Sequence, residues 1–119
     1  MEMVNNMSTQ KDINDAVTYI YTEGQKYAQA KADVTYLEGF LKSKKALLMK
    51  TAMFNGVKTV AAAEIEAYSD CEYIELLKGL KAATEIAEGL RWGLVAAQAR
   101  IEIFRTVEAS NRMIDRATS

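Results

Sequence analysis

LLKGLKAATEIAEGLRWGLVAAQARIEIF, residues 76–104, is the stretch that decides the fold. Within it Leu76, Leu80, Ala83, Ala87, Leu90, Leu94, Ala97, Ile101 and Phe104 follow in alternating steps of four and three, and all nine are apolar. An apolar repeat of about 3.5 residues keeps one seam of an α-helix turned toward a partner helix. The next members, Glu108 and Asn111, are polar, so the seam ends before the C-terminus. A second stripe runs beside it: Gly79, Ala82, Ile86, Gly89, Gly93, Ala96, Ile103 and Val107, interrupted by Arg100. Glycine inside a helix costs about 1 kcal/mol relative to alanine. Three of them in one helix point to close approach of another helix, which small side chains permit. One helix with two apolar faces needs more partners than a short chain supplies. Self-association follows as an expectation, with Gly79, Ala82, Ile86, Gly89, Trp92, Gly93, Ala96 and Ile103 as the oligomer interface.

Upstream, the chain offers a partner for that seam. Ile13, Ala16, Val17, Ile20, Tyr27, Ala30, Val34, Leu37, Leu41 and Leu48 recur at helical spacing, with Thr9 or Asp12 available as a cap. The sequence has no proline, and the glycines at 24 and 39 are tolerable, so nothing stops this helix before Phe54. Asn55-Gly56 supplies the left-handed residue that closes a helix C-terminus. A short helix is expected over residues 57–68, with Val57, Val60, Ala61, Ile65 and Tyr68 on one side. Ser69-Asp70-Cys71-Glu72 then fits a capping box, Ser69 and Glu72 exchanging bonds with the first amides of the last helix. That helix is expected to run to about Asp115. Alternation never persists, and no turn-flanked β-branched run exists, so no strand is expected. The fold class is therefore all-α: residues 1–8 as a loose tail, and 9–119 as one helical domain. A long antiparallel hairpin with a short middle helix is expected, assembling with copies of itself.

Composition narrows the chemistry. The 119 residues include no histidine and a single cysteine, Cys71. Ser-His-Asp and Cys-His catalysis, histidine-containing metal sites and an internal disulfide are excluded on that ground. Glu72-x-x-Glu75 and Glu85-x-x-Glu88 look like two halves of a helical magnesium site. Thirteen residues of helix separate them, about 1300° of rotation, so the pairs point apart. They read as a solvated face pairing with Lys78, Lys81 and Arg91. No phosphate-binding glycine loop is present, and neither cofactor nor metal is expected. Cys71 reads as a half-buried structural cysteine. Residues 1–12 lack the apolar core of a signal peptide, and no apolar run reaches membrane-spanning length. A cytoplasmic, non-enzymatic protein is expected.

Charge is unevenly placed. Residues 36–60 hold Lys42, Lys44, Lys45, Lys50 and Lys58 against Glu38 alone, where the chain must turn. Lys42, Lys45 and Lys50 fall within about 140° of one helix. With Lys58 across the turn and Met53 and Phe54 between, this basic knob suits phosphates, with Phe54 available for base stacking, or is simply the solvated end of a hairpin. Lys44 sits in a seam position between Leu41 and Leu48, where a charge snorkels or sets register, or faces the lumen of a closed ring. Trp92 lies on a polar side with Glu85, Glu88 and Glu102, which suits an inter-subunit contact or a partner site, though the first helix could as easily cover it. Arg100 and Arg105 are expected to pair with acids.

Residues 36–70, and then Leu90-Arg91-Trp92-Gly93-Leu94, resemble the UvsY-type recombination mediators of tailed phages. The shared residues are Tyr36, Lys42, Lys58, Ala63, the pair Tyr68-Ser69, and Trp92-Gly93. Glu64-x-Glu66-Ala67-Tyr68 and residues 90–105 also resemble small phage and prophage proteins. The resemblance implies a small, helical, oligomeric protein that binds single-stranded DNA. It further implies that the protein helps load a recombinase onto strands covered by single-strand-binding protein, in a host cytoplasm. The family's basic pair before the Tyr-Ser falls here on Ala62 and Glu64, so DNA contact must shift to Lys42, Lys44, Lys45, Lys50 and Lys58 with Phe54. The alternative is a structural or adaptor module, for virion assembly or protein–protein contact, with no nucleic-acid binding.

Overall fold

The computed structural model describes residues 10–118, and these form three helices. They are α1 (Gln10–Phe54), α2 (Val60–Tyr68) and α3 (Cys71–Thr118). The order long, short, long is the expected one; the tail at 1–8 and the Thr9 cap lie outside the described residues. Asp12 falls within the first turn of α1 and is not its cap. The chain divides into two compact units, Gln29–Ala87 and the remaining parts of α1 and α3.

In the Gln29–Ala87 unit, α1 ends at a tight turn, the short α2 follows, and α3 returns antiparallel to α1. The turn is a Schellman closure: Val57 N–H donates to Ala52 C=O at 3.0 Å and Gly56 N–H to Met53 C=O at 3.2 Å. Gly56 sits at φ 107°, a conformation a side chain resists. Three residues of the expected short helix are instead loop, because Thr59 caps it: its hydroxyl accepts from Ala62 N–H at 3.1 Å.

The buried face of α2 corrects the sequence reading. Ala63 and Ala67 are fully buried, whereas Val60 is 59% and Ile65 68% exposed. Close helix packing favours alanine-sized residues at the point of contact, so the larger apolar side chains are left outside. The capping box is also displaced by one residue. Asp70, not Ser69, caps α3, accepting from Glu72 N–H at 2.9 Å and Tyr73 N–H at 3.2 Å. The Ser69 hydroxyl turns back to donate to the Ile65 carbonyl at 2.6 Å. The boundary itself stands where expected.

The seam holds in both units. In α3 Ala87 and Ala97 are buried, and the other seven members of the repeat are half-buried. In α1 Ile13, Ala16, Ala30 and Leu41 are buried, with Ile20, Tyr27, Val34, Leu37 and Leu48 half-buried. Val17, grouped with them on spacing, is 52% exposed and stands off the seam. In the other unit Asp12 pairs with Arg100 at 3.6 Å, and Tyr19 lies over Gly93. One seven-residue step up α1 thus matches one step down α3, the signature of antiparallel heptad packing. α3 continues past Asp115 to Thr118.

Candidate functional site

The lysines of 36–60 separate into two groups. Lys44 is half-buried in the seam and its ammonium pairs with the Glu72 carboxylate. That hydrogen bond, opposed by desolvation and aided by the charges of Glu72 and Asp70, holds Lys44 above its ordinary pKa. Lys45 reaches the other way, toward α2, 3.7 Å from Glu64 and 4.7 Å above the Tyr68 ring. Hydrogen bonding to Tyr68, then the Glu64 charge, raises its pKa as well. Glu64 thus anchors a lysine of the same unit. These two cations are engaged by acids of their own unit.

Lys42, Lys50 and Lys58 form the second group. All three are exposed and make no ion pair among the described residues. Phe54, the last residue of α1, is 90% exposed, and Met53 beside it is 45% exposed. The turn therefore presents an open aromatic ring with uncompensated ammonium groups on both sides of it in sequence. A phenyl ring in water with cations near it can stack a base while the cations meet phosphates.

The expected interface residues are also placed. In the Gln29–Ala87 unit Gly79, Ala82 and Ile86 are exposed, Ile86 at 61%. A Cβ added at Gly79 would meet nothing within 4 Å. In the other unit Gly89 is equally open, and Ala96 and Ile103 are exposed. Gly93 is different: a Cβ there would run into the Tyr19 hydroxyl, so its close approach is satisfied inside the chain. Trp92 is 60% exposed and not covered by α1; the Arg91 guanidinium stacks on it at 4.6 Å. Glu88 accepts from Arg91 Nε at 3.1 Å and Nη2 at 3.0 Å, and this bond raises the Arg91 pKa.

The carboxylates are spread along the helices as pairs: Glu75 with Lys78 at 3.2 Å, Glu102 with Arg105 at 3.0 Å. Among the described residues no group of three His, Cys, Asp or Glu side chains could hold a metal ion. Cys71 is exposed, not half-buried, as the first residue of α3. No helix is long and apolar enough to cross a membrane among the described residues.

One feature escaped the sequence reading. Phe40 and Leu37 of α1 face Cys71, Glu72, Leu76 and Gly79 of α3 across an open apolar groove of about 500 Å³. Tyr36 stacks on Phe40 at 6.1 Å, and both are exposed. The signal was present, since Tyr36, Phe40, Ser43, Leu47, Lys50 and Phe54 keep their own four-and-three spacing one residue off the seam. Comparison with protein-family models, curated proteins and solved structures returns no match.

Proposed function

We propose that this chain is a non-catalytic, self-associating accessory factor of DNA recombination that binds single-stranded DNA at the α1–α2 turn. The observation that carries the reading is Phe54, 90% exposed at the end of a helix, in the one basic segment of the chain. Leaving a phenyl ring in water forfeits roughly 1.5–3 kcal/mol of burial, so a ligand that covers it gains that amount. Lys42, Lys50 and Lys58 supply positive charge with no acid among the described residues to displace. Lys44 and Lys45 contribute less, because phosphate must compete with Glu72 and Glu64. The resemblance to phage recombination mediators supplies the biological setting, with a recombinase and single-strand-binding protein as further partners.

The test is a titration of labelled single-stranded DNA at two salt concentrations. Three phosphate contacts per protomer predict a log–log salt slope of about −2, at about −0.7 per contact. Phe54→Ala is expected to weaken binding by about 1–3 kcal/mol through lost stacking. The triple change of Lys42, Lys50 and Lys58 to Ala is expected to flatten the slope. No binding at low salt, or binding indifferent to salt, overturns the reading.

A structural or adaptor role without DNA is the second reading, favoured by Trp92, which stands 60% exposed with Arg91 on its ring. It predicts no DNA affinity and a blue shift of Trp92 fluorescence when a partner protein binds.

A further inference from the structure

Lys45 of α1 reaches across to α2, and two side chains there receive it. Its ammonium lies 4.7 Å from the centre of the Tyr68 ring and 3.7 Å from the Glu64 carboxylate. The two contacts differ in kind. An ammonium has three donors, so a cation held at the ring still offers donors to whatever anion is near. Glu64 is that anion, and its hold is loose: 3.7 Å is beyond hydrogen-bond reach, so charge alone joins the pair. Both side chains meet water, Lys45 at 29% and Glu64 at 44% exposure. An exposed pair of this sort contributes little to the fold, so another anion can take the acid's place.

The position of Lys45 on α1 gives that exchange a consequence. Lys42 lies three residues earlier, where helix neighbours stand about 5–6 Å apart between Cβ atoms. It is exposed and makes no ion pair among the described residues. An ammonium released from Glu64 therefore joins a free one on the same helix face. Lys44 is committed differently, since it is hydrogen-bonded to Glu72 in the seam between α1 and α3. Glu66, two residues after Glu64, is exposed and pairs with no lysine among the described residues.

We propose that the Glu64 carboxylate is a built-in competitor at the DNA site, occupying the place on Lys45 that a backbone phosphate would take. Neutralising it adds Lys45 to Lys42, Lys50 and Lys58 as a fourth phosphate contact. Tyr68 keeps the ammonium in position through the exchange, because the ring face attracts the cation whichever anion lies beside it. The inference rests on the single-strand binding read above and concerns what limits it.

The experiment titrates a labelled oligothymidylate with wild type, Glu64→Gln and Glu66→Gln at 50 and 200 mM salt, with circular dichroism of each protein. Both variants change the net charge by one, but only the first touches Lys45. Glu64→Gln is expected to bind about threefold tighter than wild type at 50 mM, the size of effect that releasing an exposed ion pair has. Its log–log salt slope is expected to steepen from about −2 to about −2.8, which is one contact more. Glu66→Gln is expected to keep the wild-type slope. Glu64→Gln combined with Lys45→Ala is expected to lose the whole gain. Acylation of lysine amines, read by mass spectrometry, is expected to show DNA protecting Lys45 at least threefold better in Glu64→Gln than in wild type.

An affinity and slope unchanged by Glu64→Gln overturn the proposal, as does an equal gain from Glu66→Gln. So does a gain that survives Lys45→Ala, or equal protection of Lys45 in the two proteins. In each of these outcomes the wild type still binds, so the DNA reading stands. No binding by either wild type or Glu64→Gln at low salt overturns both. Binding by Glu64→Gln alone upholds the competitor and overturns DNA binding by the wild type.

Discussion

Changing Ala67 to leucine and, separately, Ile65 to lysine tests which face of α2 is inside. Hydropathy alone says that Ile65→Lys is the damaging change. The structure says the reverse: Ala67 has no exposed surface and Ile65 is 68% exposed. Leucine at 67 adds three carbon atoms where none fits, and over-packing of that kind costs about 1–3 kcal/mol. Ile65→Lys removes little buried surface and is expected to stay within about 0.5 kcal/mol. For a chain of 119 residues the unfolding entropy is about 250 cal/mol/K, so 2 kcal/mol corresponds to a fall in Tm of about 8 °C. Thermal melts followed by far-ultraviolet circular dichroism read the difference directly. An Ile65→Lys melt lower than that of Ala67→Leu refutes the alanine-inward packing of α2.

Asp70→Ala should cost about 0.5–2 kcal/mol, because it strips the acceptor from two α3 amides. Ser69→Ala should cost less, since its hydroxyl caps nothing in α3; denaturant midpoints of the two variants order them. Gly56→Ala should cost about 1 kcal/mol, from the positive φ rather than from crowding, as nothing lies within 4 Å of the added carbon. Completing the seam with Lys44→Leu should raise Tm by a few degrees, because a charge at such a position sets register at the expense of stability. Lys44 and Lys45 have raised folded-state pKa values, so what their pairing contributes is fully present below the ordinary value of 10.5. It is lost as pH rises through the folded value. Stability should therefore decline above that pH, and Glu72→Gln should shrink the Lys44 share of the decline; melts at pH 9 and pH 11 check the sign.

The seam was legible because a heptad repeat is a local property: position along the chain fixes angle around the helix, and angle fixes what is covered. Leu76 through Phe104 could be read one residue at a time and needed no knowledge of the partner. The ends were legible for a similar reason, Asn55-Gly56 and the polar run before α3 being punctuation that acts within a few residues. The cap of α3 was harder. Ser69 and Asp70 are both good caps, and the choice depended on the Ser69 hydroxyl returning to α2, a helix whose length was itself set by Thr59. The pairing of Lys45 with Glu64 and Tyr68 could not be read from spacing, since it joins residues of different helices across a turn.

Sequence alone determined that the chain is helical, that two long helices share a repeating apolar seam, and that basic charge gathers where they turn. These are consequences of local periodicity and composition. Tertiary structure decided which lysines remain available, Lys42, Lys50 and Lys58, because acids of α2 and α3 claimed Lys44 and Lys45. It also decided that α2 turns its alanines inward and that the Phe40 and Gly79 edges border one groove. Such outcomes depend on the distance between helices and the direction from which the third approaches, which no single helix encodes.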